Sequence, residues 1–150
     1  MNIQLEAYTV VKNDVRDLIQ LHWRDIALNQ DKIKLNPNWE GYAELDRAGM
    51  LRFFTAREDG ELIGYFLLIV SRSLHYKDHL FANNDILFLH QHHRKGTAGL
   101  RLIRFAEQSL RDEGVSLMNV NTKIHAPFDV IMQRMGFNLI ERIYSKYLGE

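Results

Sequence analysis

The 150-residue chain carries 19 Lys and Arg against 19 Asp and Glu, a formal net charge of zero, with 46% apolar and 25% charged residues. That is the make-up of one ordinary globular domain over residues 1–150, without the basic excess of a dedicated nucleic-acid binder. There is no cysteine, which excludes disulfides, thiolate zinc sites and cysteine nucleophiles, and fits a reducing, cytoplasmic setting.

The opening MNIQLEAYTVVKND has no basic segment followed by a long apolar run, so no signal peptide is expected. The longest apolar run, YFLLIV, is too short to span a bilayer, so no membrane association is expected. IQLEAYTVV reads as a first strand. Asn13 or Asp14 then caps a helix with Val15, Leu18, Ile19, His22 and Ile26 on one face. NPNWEGYAELDRAGM predicts a shorter helix carrying Trp39, Tyr42 and Leu45.

Two β-rich runs flank Glu58-Asp59-Gly60, and Asp-Gly between such runs predicts a hairpin. SRSLHYKDHLFANN reads as a polar loop and DILFLH as the next strand. Residues 97–113 form the clearest helix pattern, with Gly99, Leu102, Ile103, Ala106 and Leu110 in register and Gly114 as the cap. VSLMNVN predicts a strand. APFDVIMQRMG predicts a short helix with Pro127 near its first turn and Gly136 at its end. FNLIERIYSKYL closes the chain as one or two strands. The order β-α-α-β-β-β-α-β-α-β-β specifies an α/β (α+β) mixed sheet with helices on both faces.

The stretch LFLHQHHRKGTAGLRL, residues 87–102, runs from a strand through a basic, glycine-containing turn into a helix. A helix N-terminus exposes unpaired N–H groups and a partial positive charge, so it binds anions. Gly96 and Gly99 allow close backbone approach, and Arg94 and Lys95 add charge. The pattern reads as a phosphate-binding turn, or as an ordinary strand-to-helix loop with solvated cations.

This stretch resembles the cofactor motif of the GNAT N-acetyltransferase family, Q/R-x-x-G-x-G/A. Arg94 falls on the Q/R position, Gly99 on the last glycine, and Leu102-Ile103 on the apolar pair of the helix face; Thr97 stands where the first glycine is usual. A second register puts His93 on Q/R, with Gly96 and Ala98 on the small positions. The first also aligns His90 and the helix stripe. ELIGYFLLIV is similar to the family's third strand, and IMQRMGF to its Y-E-K-L-G-F segment. The likeness covers nearly the whole chain.

The resemblance implies acetyl-CoA as acetyl donor and an amine, small molecule or protein, as acceptor. It implies a cofactor cleft where the fourth and fifth strands separate. Backbone N–H groups of Arg94, Lys95, Gly96, Thr97, Ala98, Gly99 and Leu100 are then expected to hold the pyrophosphate. Leu87, Phe88 and Leu89 are expected to run along the pantetheine arm as an added strand, and Lys95 and Arg101 to meet the remaining phosphate. The family often places a basic carboxylate about eleven residues before the Q/R position, where Asn83 stands here. Asp85, two residues on and on the same strand face, is the candidate base. The family's acid, a tyrosine, is Met132 here; Tyr144 is the candidate substitute, with His125 or water as other sources.

His90, His92 and His93 invite a metal reading, but HQHHRKG supplies no neighbouring carboxylate ligand, so no metal is expected. Trp39 and Tyr42 read as core residues, and the resemblance implies that this region also walls the acceptor site; the loop SLHYKDHLFANN reads as a surface loop and a candidate lining of the acceptor pocket. A homodimer is among the expected assemblies. The alternative to an enzyme is a non-catalytic acyl-CoA-binding or structural module on the same fold, which Met132 and Asn83 favour.

Overall fold

The structure, a computed structural model, describes residues 1–149. The elements are β1 (Asn2–Glu6), α1 (Tyr8–Ile26), α2 (Trp39–Arg47), β2 (Leu51–Glu58), β3 (Glu61–Arg72) and β4 (Leu80–Leu89). A 3-10 turn (Gln91–His93), α3 (Ala98–Asp112), β5 (Val115–Asn119) and α4 (Asp129–Arg134) follow. This is the mixed α/β fold expected, in the expected order through α4. The five strands lie in sequence order in one sheet, antiparallel from β1 to β4, with β5 parallel to β4.

Helices cover both faces, so β2 and β3 are buried on both sides and read as near-continuous apolar runs. Phe53, Tyr65 and Leu67 pack towards α1 with Val11, Val15 and Phe88. Phe54, Phe66 and Leu68 pack towards α3 with Leu102, Ile103 and Ala106. Each such side chain contributes about 1.5–3 kcal/mol by leaving water. The β2–β3 hairpin turns at Asp59 (φ 48°) and Gly60 (φ 83°). Both angles are positive, as a type I′ turn requires.

Three stretches differ from the sequence reading. First, α1 begins at Tyr8, before the expected cap, and takes Thr9, Val10 and Val11 from the predicted strand. Tyr8, Val11, Val15, Leu18 and Ile19 form one buried stripe, and that packing outweighs the β propensity of Val10-Val11. Second, half of the predicted loop from Ser71 to Asn84 is strand: β3 continues to Arg72 and β4 begins at Leu80. Antiparallel pairing from Ser71↔Phe81 and Arg72↔Leu80 satisfies its backbone and shortens the loop. Third, residues 137–149 carry no helix or strand, where one or two closing strands are expected. Leu139, Ile140, Ile143 and Tyr144 are 78%, 77%, 73% and 89% exposed. A strand-like sequence without a neighbouring strand has nothing to hold it as a strand.

Candidate active site

β4 is paired on both edges only over its first half. Its parallel register with β5 runs from Leu80↔Val115 to Asn83↔Asn119. There Asn119 donates to the Asn83 side chain (2.9 Å), and the Asn121 backbone N–H donates to that of Asn84 (2.7 Å). Past these braces β5 ends, while β4 continues to Leu89 against β3 alone: Leu67↔Ile86, Phe66↔Leu87, Tyr65↔Phe88 and Gly64↔Leu89. The opposite edge of Leu87, Phe88 and Leu89 has no partner strand, and at its end the Leu89 carbonyl accepts from Arg94 Nε at 2.7 Å. This edge can accept an extended, amide-bearing ligand as an added strand.

A bulge interrupts β4 where the free edge begins. Asn84 pairs with Leu68 and Ile86 with Leu67, so Asp85 is left without a partner. Bulges re-aim side chains next to sites. Here Asp85 and Ile86 both line one groove, which α1, the connection from Ala27 to Asn38, and α2 complete. Asp85 Oδ2 accepts from the Tyr42 hydroxyl at 2.5 Å. Burial first, then the hydrogen bond to Asp85 and its charge, push the Tyr42 phenol pKa up, so Tyr42 remains a donor at every pH of interest.

Deeper in the groove, His22 Nδ1 lies 3.1 Å from the Tyr65 hydroxyl, and its ring stacks on Phe88 with centroids 5.0 Å apart. Burial pushes the His22 pKa down to about 4; Asp25 opposes, while Arg94 and Lys123 add to the depression. The imidazole is therefore neutral at neutral pH. Burial likewise raises the Tyr65 phenol. Phe88 thus connects the groove to the free edge, with His22 and Tyr65 packed behind it.

β4 leads through His90 and the 3-10 turn into α3. The Arg101 N–H to Thr97 carbonyl bond (2.9 Å) opens the helical ladder. The Arg94 N–H is taken by the Gln91 carbonyl (3.3 Å). Among the described residues, the N–H groups of Lys95, Gly96, Thr97, Ala98, Gly99 and Leu100 have no backbone acceptor. Gly96 has φ 116°, which lets the chain reverse here. At Gly99 a Cβ would meet only Leu89 Cδ2, at 3.9 Å. The Arg94 guanidinium is committed within the protein: it donates to the Leu89 carbonyl (2.7 Å) and Asp25 (2.6 Å) and lies over the Phe88 ring. It braces the turn against α1. Lys95 is exposed, and Arg101 turns to a cleft shared with Arg104 and β1.

The structure does not bring Tyr144 to the groove; it lies in the exposed segment after α4. Met132, at the family's tyrosine position, is 7% exposed and packs in the core beside α3. His125 is held through Nε2 to the Ile26 carbonyl at 2.8 Å. His90 and His92 stack at 4.9 Å, and His93 faces Glu58 at 3.4 Å. The sequence reading did not single out Tyr65, nor His22 as more than one residue of a helical stripe. The available signal was a titratable ring inside the apolar face of α1, one turn after Leu18 and Ile19.

Comparison with known proteins follows the same lines. Residues 13–136 match the Acetyltransferase (GNAT) family. No curated protein sequence matches the chain. Among solved structures, an aminoglycoside acetyltransferase, meta-AAC0020, from an uncultured soil metagenomic sample is similar at TM-score 0.75 and 15% identity, over 99% of this chain and 95% of that one. The ribosomal-protein-alanine N-acetyltransferase from Brucella melitensis is similar at TM-score 0.68 and 15% identity, over 100% and 99%. Aminoglycoside N-acetyltransferase AAC(6')-Iy, in complex with CoA, is similar at TM-score 0.71 and 16% identity, over 97% and 98%. These likenesses show a shared fold. The family match spans most of the chain, from α1 to the end of α4, and includes the separated strands and the glycine turn; the chain therefore belongs to the GNAT acetyltransferase family.

Proposed function

We propose that residues 1–150 act as a single acetyl-CoA-dependent N-acetyltransferase domain, transferring acetyl directly to an amine held beside Asp85. The observation that carries this reading is the free edge of Leu87, Phe88 and Leu89, which runs straight into the unpaired N–H groups of Lys95 to Leu100. In this reading the turn binds the donor's pyrophosphate and the strand edge binds its pantetheine amides. A strand N–H also stabilises negative charge developing on the thioester oxygen. The acceptor nitrogen attacks the thioester carbon; the C–N bond forms and the C–S bond breaks. Asp85, directly or through a water, removes a proton from the incoming ammonium, and the departing thiolate takes its proton from water. With no cysteine in the chain, no acyl-cysteine intermediate forms. The absence of cysteine also supports a cytoplasmic setting.

A non-catalytic acyl-CoA-binding module is favoured by one observation: Met132 fills the core where the family has its tyrosine acid. One experiment decides. Acetyl-CoA at a hundred times its Kd is expected to raise Tm by about 5–10 °C, and free thiol is expected to be released when amines are added. A Tm shift without turnover across amine classes supports the binding module. No shift at millimolar acetyl-CoA overturns both.

The same chain is proposed to form a homodimer. Residues 138–149 make no backbone hydrogen bond among the described residues, and β5 is paired only on its β4 side. An exposed apolar segment and an open strand edge are complementary surfaces for a second copy. Light scattering is expected to give a dimer that becomes a monomer when the chain is truncated at Phe137. A monomeric full-length chain would refute this assembly.

A further inference from the structure

The groove beside Asp85 carries a charge pattern that bears on its acceptor. Its volume is about 390 Å³, within the roughly 300–1,000 Å³ range of small-molecule sites. The walls are apolar: Trp23 and Ile26 from α1, Leu35 and Pro37 from the following connection, and Ile86 from β4. Asp85 is the single carboxylate among the described lining residues, while Lys34 and Lys123 both line the groove. Lys34 is fixed there by donating to the Gln30 carbonyl at 3.0 Å. Of the acids on the neighbouring helices, Asp25 pairs with Arg94 at 2.6 Å and Glu40 with Arg47 at 3.3 Å, and Asp17, Glu44 and Asp46 do not line the groove.

One ammonium beside Asp85 is matched in charge. A second ammonium on the same molecule finds no second carboxylate in the lining: beside the apolar walls or the neutral Asn36 it has no counter-charge, and beside Lys34 or Lys123 it meets a like charge. We propose that this groove selects a primary monoamine carried on an apolar or aromatic body and rejects polycationic amines such as aminoglycosides and polyamines. The two lysines favour an acceptor whose far end is neutral or acidic. The inference rests on the acetyl-transfer reading above and adds the class of acceptor to it.

The test uses the full chain, acetyl-CoA as donor and free-thiol release as the readout. The acceptors are 2-phenylethylamine, tryptamine, spermidine, kanamycin and a short peptide with a free N-terminus. The expected result is a kcat/KM for the two aromatic monoamines at least about tenfold above spermidine and kanamycin. The Lys34→Glu, Lys123→Glu double variant is expected to move the spermidine-to-phenylethylamine ratio of kcat/KM towards spermidine by about tenfold or more. Faster turnover of the polycations by the unaltered protein, turnover of the peptide alone, or a ratio unmoved by the double variant overturns the proposal. Thermal shift with CoA, run in parallel, separates the two levels. A shift with the wrong amines accepted overturns the acceptor class only; a shift with no amine accepted overturns the acceptor class and supports the binding module in place of acetyl transfer. Absence of the shift overturns the acetyl-transfer reading beneath it.

Discussion

The Tyr42 hydroxyl donates to Asp85 Oδ2 at 2.5 Å, joining α2 to the unpaired residue of the β4 bulge across 43 positions of sequence. The contact orients the carboxylate at the groove. Replacing the carboxylate removes the proposed base and keeps the shape, so Asp85→Asn is expected to lower kcat by about a hundredfold or more. The CoA-induced Tm shift should persist, because the donor is held further along the chain. Near-normal turnover in Asp85→Asn would remove Asp85 from the base role. Tyr42→Phe keeps the carboxylate and loses only its orienting donor. A smaller fall in kcat, about tenfold, with the CoA shift intact, is the expected outcome.

Gly99 sits in the first turn of α3, where the N–H groups are unpaired. Because a side chain there meets only Leu89 Cδ2 at 3.9 Å, Gly99→Glu should fold normally. Its carboxylate would occupy the proposed pyrophosphate position and oppose it in charge. The unliganded Tm is expected to change little while the CoA-induced shift disappears. Calorimetric titration with CoA checks this directly; unchanged affinity would place the phosphate site elsewhere.

Gly64 tests how closely β3 and β4 must approach. A Cβ at Gly64 would lie 2.7 Å from Leu89 Cδ1 and 2.9 Å from the Phe88 carbonyl oxygen. The side chain can shift, but the backbone oxygen belongs to the strand that carries the free edge. Gly64→Ala is expected to destabilise the fold by about 1–3 kcal/mol and to weaken CoA binding together with it. Urea unfolding and CoA titration of the same variant measure the two effects.

His22 makes stability depend on pH. Its pKa falls from 6.5 when unfolded to about 4 in the native state, chiefly through burial. Between those values the unfolded chain binds more protons, so the contribution is complete above pH 6.5 and is lost as pH falls towards 4. Going from pH 7 to pH 5 is expected to remove roughly 1–2 kcal/mol through this group. His22→Gln, which retains a polar partner for Tyr65, should flatten that part of the profile. Urea unfolding at the two pH values checks it, and an equal acid loss in the variant would assign the effect to other groups.

Signals carried by neighbouring residues are legible in the sequence itself. Asp59-Gly60 specifies a turn with two positive φ angles, and the stripe Leu102, Ile103, Ala106 and Leu110 specifies the buried face of α3. Gly114 and Gly136 mark helix ends, and the run into residues 94–99 marks a helix start with unpaired N–H groups, because turn chemistry and helical period act within a few residues. The tertiary structure decided the rest. Val10 and Val11 became helical because a stripe shared with Tyr8 could be buried against the sheet. Met132, read as the place of a missing tyrosine, is core packing beside α3. The bulge that frees Asp85 exists only through the register of β4 on β3, and Tyr42 and His22 reach Asp85 and Tyr65 from helices 43 residues away in sequence. No local rule records such pairs, since they follow from how two helices dock on one face of a sheet; the sequence determined most of the elements and the glycine-containing turn before α3, and packing alone assembled the groove around Asp85.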